Sequence, residues 1–312
     1  MTSLRLRRLA VSVLWGAVGA VAAQTSPVQT EAITASNTLK KIQASGVIVI
    51  GHRVGSLPFS YLDASLQPIG YSMDLCRAVV EAVRTQLNLP TLKVKLVAVT
   101  SATRIPLVAN GSVDLECGIT TNTQERQKLV AFSVTTFVAQ SRLLSKKASN
   151  IRQLSDLRGK PVVSTVSTTS IARLNEINTQ QRLGMRILAG KDDPDSFLFV
   201  QTDRALAYAM DDVLLYALMA RTSEPQKYSV SDEVLSVEPY GIMLGKDDPA
   251  FKRLVDNTLV DLFRSGEIKR LYRQWFESPL PPSGIALNLP MSAALQRVIA
   301  QPTDSSDPKH YQ

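Results

Sequence analysis

Two cysteines in a chain of 312 residues exclude a disulfide-scaffolded mini-protein and any cysteine-rich zinc module. Two histidines, His52 and His310, leave almost nothing for a histidine metal centre or a Ser-His-Asp triad, and the chain carries neither a P-loop nor a GxGxxG turn. No catalytic residue, metal ligand or cofactor is therefore assigned. Aromatic residues make up only 6% and charged residues 20%, against 45% hydrophobic, a composition that fits a folded globular chain rather than a disordered or collagenous one. Runs of basic residues are missing too. The formal charge is +8, but Arg5, Arg7 and Arg8 supply three of those charges at the extreme N-terminus, so the rest carries +5 (8 minus 3) as scattered residues and isolated pairs. That pattern offers no phosphate-tracking surface, and no nucleic-acid partner is expected.

Residues 1–23 read as a secretory signal. Arg5, Arg7 and Arg8 form its basic start, Leu9 to Val21 form a short apolar run, and small residues at Ala20–Ala23 place cleavage near Ala22/Ala23. The run is too short for a comfortable membrane span, and no second run of spanning length follows. An exported, soluble mature protein is expected, with an uncleaved anchor as the alternative. Export places Cys76 and Cys117 in an oxidising compartment, where pairing and simple burial both stay open.

From residue 47 the chain alternates short apolar runs with helical periodicity. Strands are predicted at Val47–Gly51, Val94–Val99, Val113–Gly118 and Phe137–Leu144. A helix over Ser72–Asn88 carries Cys76, Val79, Val80, Val83 and Leu87 on one stripe. Pro106 suits a helix's first turn, and Asn122 with Glu125 resembles a capping box opening a helix over Thr123–Val130. The alternation then restarts: strands at Pro161–Val166, Arg186–Ala189, Ala205–Met210 and Tyr240–Leu244, with helices at Thr169–Ile177, Asp195–Thr202, Asp211–Ala220, Pro249–Arg264 and Gly266–Phe276. This order predicts an α/β fold with parallel sheets flanked by helices, in two successive lobes. The tail beyond Glu277 is rich in proline and serine and either wraps the body or frays.

In open α/β sheets ligands sit beyond the carboxyl ends of the strands, so the polar residues just past each predicted strand are the candidates. These are Arg53, Ser101, Arg104 and Ile119–Thr121 in the first unit, and Thr168, Thr169, Asp193 and Asp211 in the second. Arg126 lies close by on the following helix. Guanidinium forks grip carboxylates, an aspartate pairs with an ammonium, and helix N-termini at Thr121–Thr123 and Thr169 offer N–H groups to anions. The set suits a small zwitterion.

Several blocks carry a family resemblance. Gly70-Tyr71-Ser72-Met73-Asp74-Leu75, Gly118-Ile119-Thr120-Thr121-Asn122 through Glu125-Arg126 to Phe132-Ser133, and Gly266-Glu267-Ile268 to Trp275-Phe276 resemble signatures of the bacterial extracellular solute-binding proteins, family 3. Gly51-His52-Arg53, Arg104-Ile105-Pro106, Leu115-Glu116-Cys117-Gly118, Thr168-Thr169-Ser170 and Met210-Asp211-Asp212 bring the chain closest to that family's glutamate- and aspartate-binding members. The resemblance spans residues 38–290. It implies a two-lobed periplasmic-binding-protein fold (type II, Venus-flytrap), with lobe 1 at 38–137 plus 241–283, lobe 2 at 142–237 and a tail at 284–312. Hinge strands are expected near Thr135–Gln140 and Val237–Gly241. The implied role is the periplasmic solute-binding component of an amino-acid ABC importer, a monomer whose partners are its ligand and the permease subunits.

By the same resemblance, Arg104 would clamp the α-carboxylate with the N–H groups of Thr121 and Thr169. Asp211 and the Ile119 carbonyl would take the α-ammonium, and Arg53, Arg126 and Ser101 the side-chain carboxylate. Two departures stand out: Ile119 replaces a serine, and Asp193 replaces a histidine. An ionised aspartate only accepts hydrogen bonds and would repel a side-chain carboxylate. Asp193 either faces the ligand or N-caps the helix that Pro194 opens. Three arginines against two aspartates give the expected pocket a charge of +1. Glutamine or asparagine is the alternative ligand, and a cyclohexadienyl dehydratase-like enzyme on the same scaffold is the alternative from another class.

Overall fold

Strand and helix alternate from Asn37 onward and sort into two main sheets, in a computed structural model that describes residues 35–312. The signal segment expected at residues 1–23, with its cleavage near Ala22/Ala23, lies outside the described residues. The first sheet runs Lys93–Ala98, Val47–His52, Leu115–Glu116, Met243–Leu244, Ala131–Phe132. Its first three strands are parallel, with His52 opposite Ala98 and Gly51 opposite Glu116, so their carboxyl ends finish level. The second sheet runs Arg186–Gly190, Pro161–Thr165, Ala207–Asp211, Phe137–Lys146, Tyr228–Val230. There Gly190 lies opposite Thr165, again aligning the ends of parallel strands.

The chain passes between the sheets at two adjacent places. Phe137–Lys146 and Ser236–Tyr240 pair antiparallel, with Phe137 opposite Tyr240 and Val138 opposite Pro239. These are the two hinge strands. Phe137 is rooted in lobe 1: its ring lies 4.9 Å from Phe59, 5.8 Å from Tyr240 and 5.1 Å from Phe276, centroid to centroid. Packed rings of this kind add about 0.5–1.5 kcal/mol per pair beyond their buried area.

The helix Tyr71–Gln86 covers the first sheet, and the predicted stripe is its core face: Cys76, Val79, Val80 and Val83 are all buried. Each such aliphatic side chain contributes about 1.5–3 kcal/mol on burial. Cys76 pairs with Cys117, tying this helix to the end of the central strand. The predicted helix over Thr123–Val130 shrinks to Gln124–Gln127, and the expected Asn122–Glu125 box does not form. Thr123 is the cap, accepting the Arg126 N–H at 3.2 Å. Asn122 is drawn off to the tail, donating to the Asp304 carbonyl at 2.8 Å.

The proline-rich tail wraps. The helix Ala293–Ala300 and the last turn Pro308–Tyr311 bring Val298 and Tyr311 against Val138 of a hinge strand. The Tyr311 hydroxyl meets Thr135 Oγ1 at 2.8 Å, the Thr135 N–H donates to Thr303 at 2.7 Å, and Lys252 pairs with Asp304 at 2.8 Å. Among the described residues no helix is long and apolar enough to cross a membrane.

The disulfide closes a 41-residue separation, for which the chain-entropy relation gives about 4 kcal/mol of stabilisation. The Cys76→Ser/Cys117→Ser double variant is expected to lose about that much in urea unfolding; a midpoint unchanged from the oxidised protein would mean that the crosslink constrains nothing.

Candidate functional site

Between the level strand ends of the two sheets lies a polar cleft, crossed by contacts of Arg126 with Ser167, Thr121 with Thr169 and Ser56 with Asp193. Arg53 directly follows the strand Val47–His52, held by its own N–H donating to Ser60 Oγ at 2.9 Å. Arg104 opens the helix Arg104–Ala109, with Ser101 buried just before it. Its Nη1 donates to the Ile119 carbonyl at 2.9 Å. Arg126 donates from Nη1 to the Thr121 carbonyl at 2.8 Å and from Nη2 across the cleft to the Ser167 carbonyl at 3.5 Å. All three guanidinium side chains are buried, yet Arg53 Nη1 and Arg104 Nε have no hydrogen-bond partner. Burial pushes Arg104 down to about 9, and the neighbouring Arg126 charge adds to that. Arg126 is lowered for the same first reason.

The opposite wall comes from the second sheet. Thr168 caps the helix Thr169–Gln180, so the Thr169 N–H lies in that helix's first turn. Thr169 Oγ1 stands 3.5 Å from Thr121 Oγ1 across the cleft and donates to Glu238 Oε2 at 2.6 Å. The N–H groups of Asn122 and Gly241 make the bridge between this segment and the hinge strand, so the Thr121 N–H takes no part in it. Asp211 ends the strand Ala207–Asp211 with one donor on each oxygen, Ser170 Oγ to Oδ1 at 3.2 Å and the Tyr240 hydroxyl to Oδ2, which leaves acceptor capacity on both. Burial, with the nearby Glu238 charge second, raises the Asp211 carboxyl well above its ordinary range.

Asp193 is buried on the same wall. Its Oδ1 accepts from Thr165 at 3.0 Å and from the Tyr208 hydroxyl at 3.2 Å, and its Oδ2 accepts from Ser56 of the facing lobe at 3.4 Å. It is not the helix cap. Asp192 takes that place, accepting the Asp195 N–H at 2.9 Å, and Asp193 is the first helical residue of Asp193–Gln201. The cap sits one residue earlier because Pro194, lacking an N–H, fits the first turn in either register. An open groove of about 460 Å³ flanks the cleft on the hinge side, lined by Thr121, Arg126, Thr169 and Glu238 among others.

Sequence reasoning passed over several members of this cleft. Ser56, Thr165, Tyr208 and Tyr240 are missed: Ser56 lies in a two-residue strand, Tyr208 inside a strand, and Thr165 and Tyr240 end strands whose predicted bounds, Pro161–Val166 and Tyr240–Leu244, hide those ends. Glu116 was noted only within a family block, and Glu238 not at all; their signal was an acid inside a strand pattern that is otherwise buried. Among the described residues no cluster of three or more His, Cys, Asp or Glu could hold a metal ion.

Comparisons with known proteins bear on the family and the fold. The family described as bacterial extracellular solute-binding proteins, family 3, matches residues 48–278. An L-glutamate/L-aspartate-binding protein of Pseudomonas aeruginosa is 49% identical over 300 residues, 96% of this chain and 98% of that protein. A glutamate/aspartate import solute-binding protein of Escherichia coli is 43% identical over 303 residues, 97% and 99% of the two chains. Among solved structures, an ancestral amino acid-binding protein described as a precursor of cyclohexadienyl dehydratase is 27% identical, with a TM-score of 0.66 over 77% of this chain and all of that one.

If Asp192 is the cap, Asp192→Ala should cost about 1 kcal/mol in thermal or urea unfolding. A loss within experimental scatter would show that the Pro194 turn needs no side-chain acceptor.

Proposed function

The chain belongs to family 3 of the bacterial extracellular solute-binding proteins, and from that premise we propose that it is the solute-binding component of an amino-acid ABC importer. It takes an acidic amino acid, glutamate or aspartate, between its lobes and delivers it to the membrane permease. In this reading the mature protein works in the periplasm as a monomer, after removal of residues 1–23 near Ala22/Ala23. The observation that carries the reading is the set of buried arginines with unspent N–H groups facing a buried aspartate across one cleft. Unpaired buried donors are costly, and a ligand with two carboxylates and one ammonium satisfies both walls at once. Relatives named as glutamate/aspartate-binding proteins, alike over nearly the whole chain, support the same ligand class.

Each residue then has a task. Arg104 grips the α-carboxylate with the N–H groups of Thr121 and Thr169. Asp211 takes the α-ammonium, and the Ile119 carbonyl, with a second lone pair beyond the one Arg104 uses, assists it. Arg53, Arg126 and Ser101 hold the side-chain carboxylate. Asp193, already accepting three hydroxyl donors, serves closure through Ser56 and leaves the ligand to the arginines. A ligand touching both walls favours the closed arrangement because only there are both sets of contacts made. A dehydratase-like enzyme finds no support in the curated relatives, which are named as binding proteins.

Calorimetric titration with glutamate, aspartate, glutamine, asparagine and histidine tests this directly, with glutamate or aspartate expected to bind tightest. Arg104→Ala should weaken every amino acid by about 2–5 kcal/mol, because all share the α-carboxylate. Arg126→Ala should weaken glutamate far more than glutamine. Affinities near wild type for Arg104→Ala, or equal losses for Arg126→Ala, would unseat these assignments.

The ammonium site also has a pH signature. Asp211, facing Tyr240, Ser170, Glu238 and Asp212, has its carboxyl raised by burial. Below that raised value the free site holds the proton, which must leave before the ammonium is gripped. Affinity is therefore expected to climb as pH rises, by at most about tenfold per pH unit, with proton release on binding. Titrations in buffers of different ionisation enthalpy read this, and a pH-independent affinity with no proton release would remove Asp211 from the role.

A further inference from the structure

Glu116, like Glu238, is a buried acid of the cleft region that the binding scheme leaves without a task. It lies on the central strand of the first sheet, between Gly51 on one side and Met243 on the other, and is 0% exposed. Its Oε2 accepts from Thr120 Oγ1 at 2.7 Å, and its Oε1 has no partner. The carboxylate passes over the bare Cα of Gly118: a Cβ there would stand 2.1 Å from Glu116 Oε1 and 3.0 Å from Arg53 Cγ. Gly118 is thus bare where the acid and the Arg53 stem come together. The negative charge of Glu116 also bears on Arg104 and Arg126, opposing the burial that lowers both. An unpaired, fully buried carboxylate oxygen is expensive to keep, and an amide or apolar residue would fill the same place more cheaply.

We infer that Glu116 is a specificity-determining residue that tunes this cleft by charge, holding the three-arginine site to ligands with little net negative charge. This rests on the reading of the cleft as an acidic amino-acid site. Arg53, Arg104 and Arg126 outnumber Asp193 and Asp211 by one; Glu116 brings the count level, and Glu238 behind Thr169 adds a further acid. A fixed negative charge disfavours each ligand in proportion to that ligand's own net negative charge, and in a partly desolvated site the effect is about tenfold per unit charge. Glutamine, net neutral, barely senses it. Glutamate senses it once and a simple dicarboxylate without an ammonium senses it twice.

The test is Glu116→Gln titrated at neutral pH with L-glutamine, L-glutamate and glutarate, beside the wild type. Gln keeps the acceptor for Thr120 and removes only the charge. Glutamine affinity should stay within about threefold, glutamate should tighten about tenfold, and glutarate should gain more than glutamate does. Glu116→Met, also uncharged, should show the same graded order and covers the case in which the Gln variant does not fold. A glutamate-to-glutamine affinity ratio unchanged from wild type in the folded variant, or uniform loss for all three ligands, overturns the proposal and makes Glu116 a structural residue. The wild-type titrations stand apart from that ratio: a wild type that binds neither glutamate nor aspartate overturns the reading of the cleft and this inference with it.

Discussion

Arg53, Arg104 and Arg126 lie in one cleft at 4, 2 and 9% exposure, and much of the remaining polarity around them answers that buried positive charge. Guanidinium groups removed from water lose hydration that carbonyl acceptors replace only in part. Two of the three take a backbone carbonyl from the same short segment, at Ile119 and Thr121. That segment is in turn fixed at its head by the Cys76–Cys117 crosslink and at its tail by the bridge to the hinge strand. The burial of the arginines therefore depends on a loop whose both ends are covalently or sheet-bound. Acids from both sides then offset the charge, and because Asp211 ends a strand of the second sheet and Asp193 opens a helix that follows another of its strands, the compensation is completed only when the lobes face each other.

The hinge participates in the same electrostatics. Tyr240 ends a hinge strand with its ring stacked on Phe137 in the lobe 1 aromatic cluster, while its hydroxyl donates to Asp211 in lobe 2. One side chain thus couples the packing of one lobe to a buried carboxylate of the other. The tail adds a second tie: Tyr311 and Val298 cover Val138, and Thr303 accepts the Thr135 N–H. The family match ends at residue 278, so the strap across the hinge lies beyond it.

The layout of the cleft was readable in the sequence to the extent that it depends on strand ends. A strand that finishes at the cleft places its next polar residue there whatever the neighbours do, which is why Arg53, Arg104, Asp193 and Asp211 could be named from alternation alone. Residues inside strands were not readable this way. Period-two patterning marks which side a residue faces but not what lies on that side, so Thr165, Tyr208 and Glu116 looked like ordinary strand positions. Gly55–Ser56, Ser60–Leu62 and Pro68–Ile69 are strands of two or three residues, too short to show any period, and Ser56 went unseen with them. The caps failed differently. Asn122 and Asp193 had the right chemistry one residue away from the position that tertiary contacts chose, Asn122 because the tail carbonyl at Asp304 competed for its amide. The disulfide was open because spacing says nothing of approach in space.

The two departures from the glutamate and aspartate pattern take on a common meaning once the partners are named. Ile119 loses a hydroxyl, but the group that matters at this position is its carbonyl, which accepts from Arg104 regardless of the side chain. By the resemblance, Asp193 puts an acceptor where a donor is expected, in a region that the proposed scheme sets beside a carboxylate, a change that would be repulsive if its oxygens were bare. They are not bare: Thr165, Tyr208 and Ser56 supply three hydroxyl donors to them. Hydrogen bonds to a carboxylate spread and partly offset its charge, and Ser56 turns what would have been a ligand contact into a contact between lobes. A histidine there can donate to a bound carboxylate directly, whereas this aspartate can stabilise the closed cleft without touching the ligand. In the proposed scheme, selectivity at the side-chain end then falls more heavily on Arg53, Arg126 and Glu116 than on Asp193.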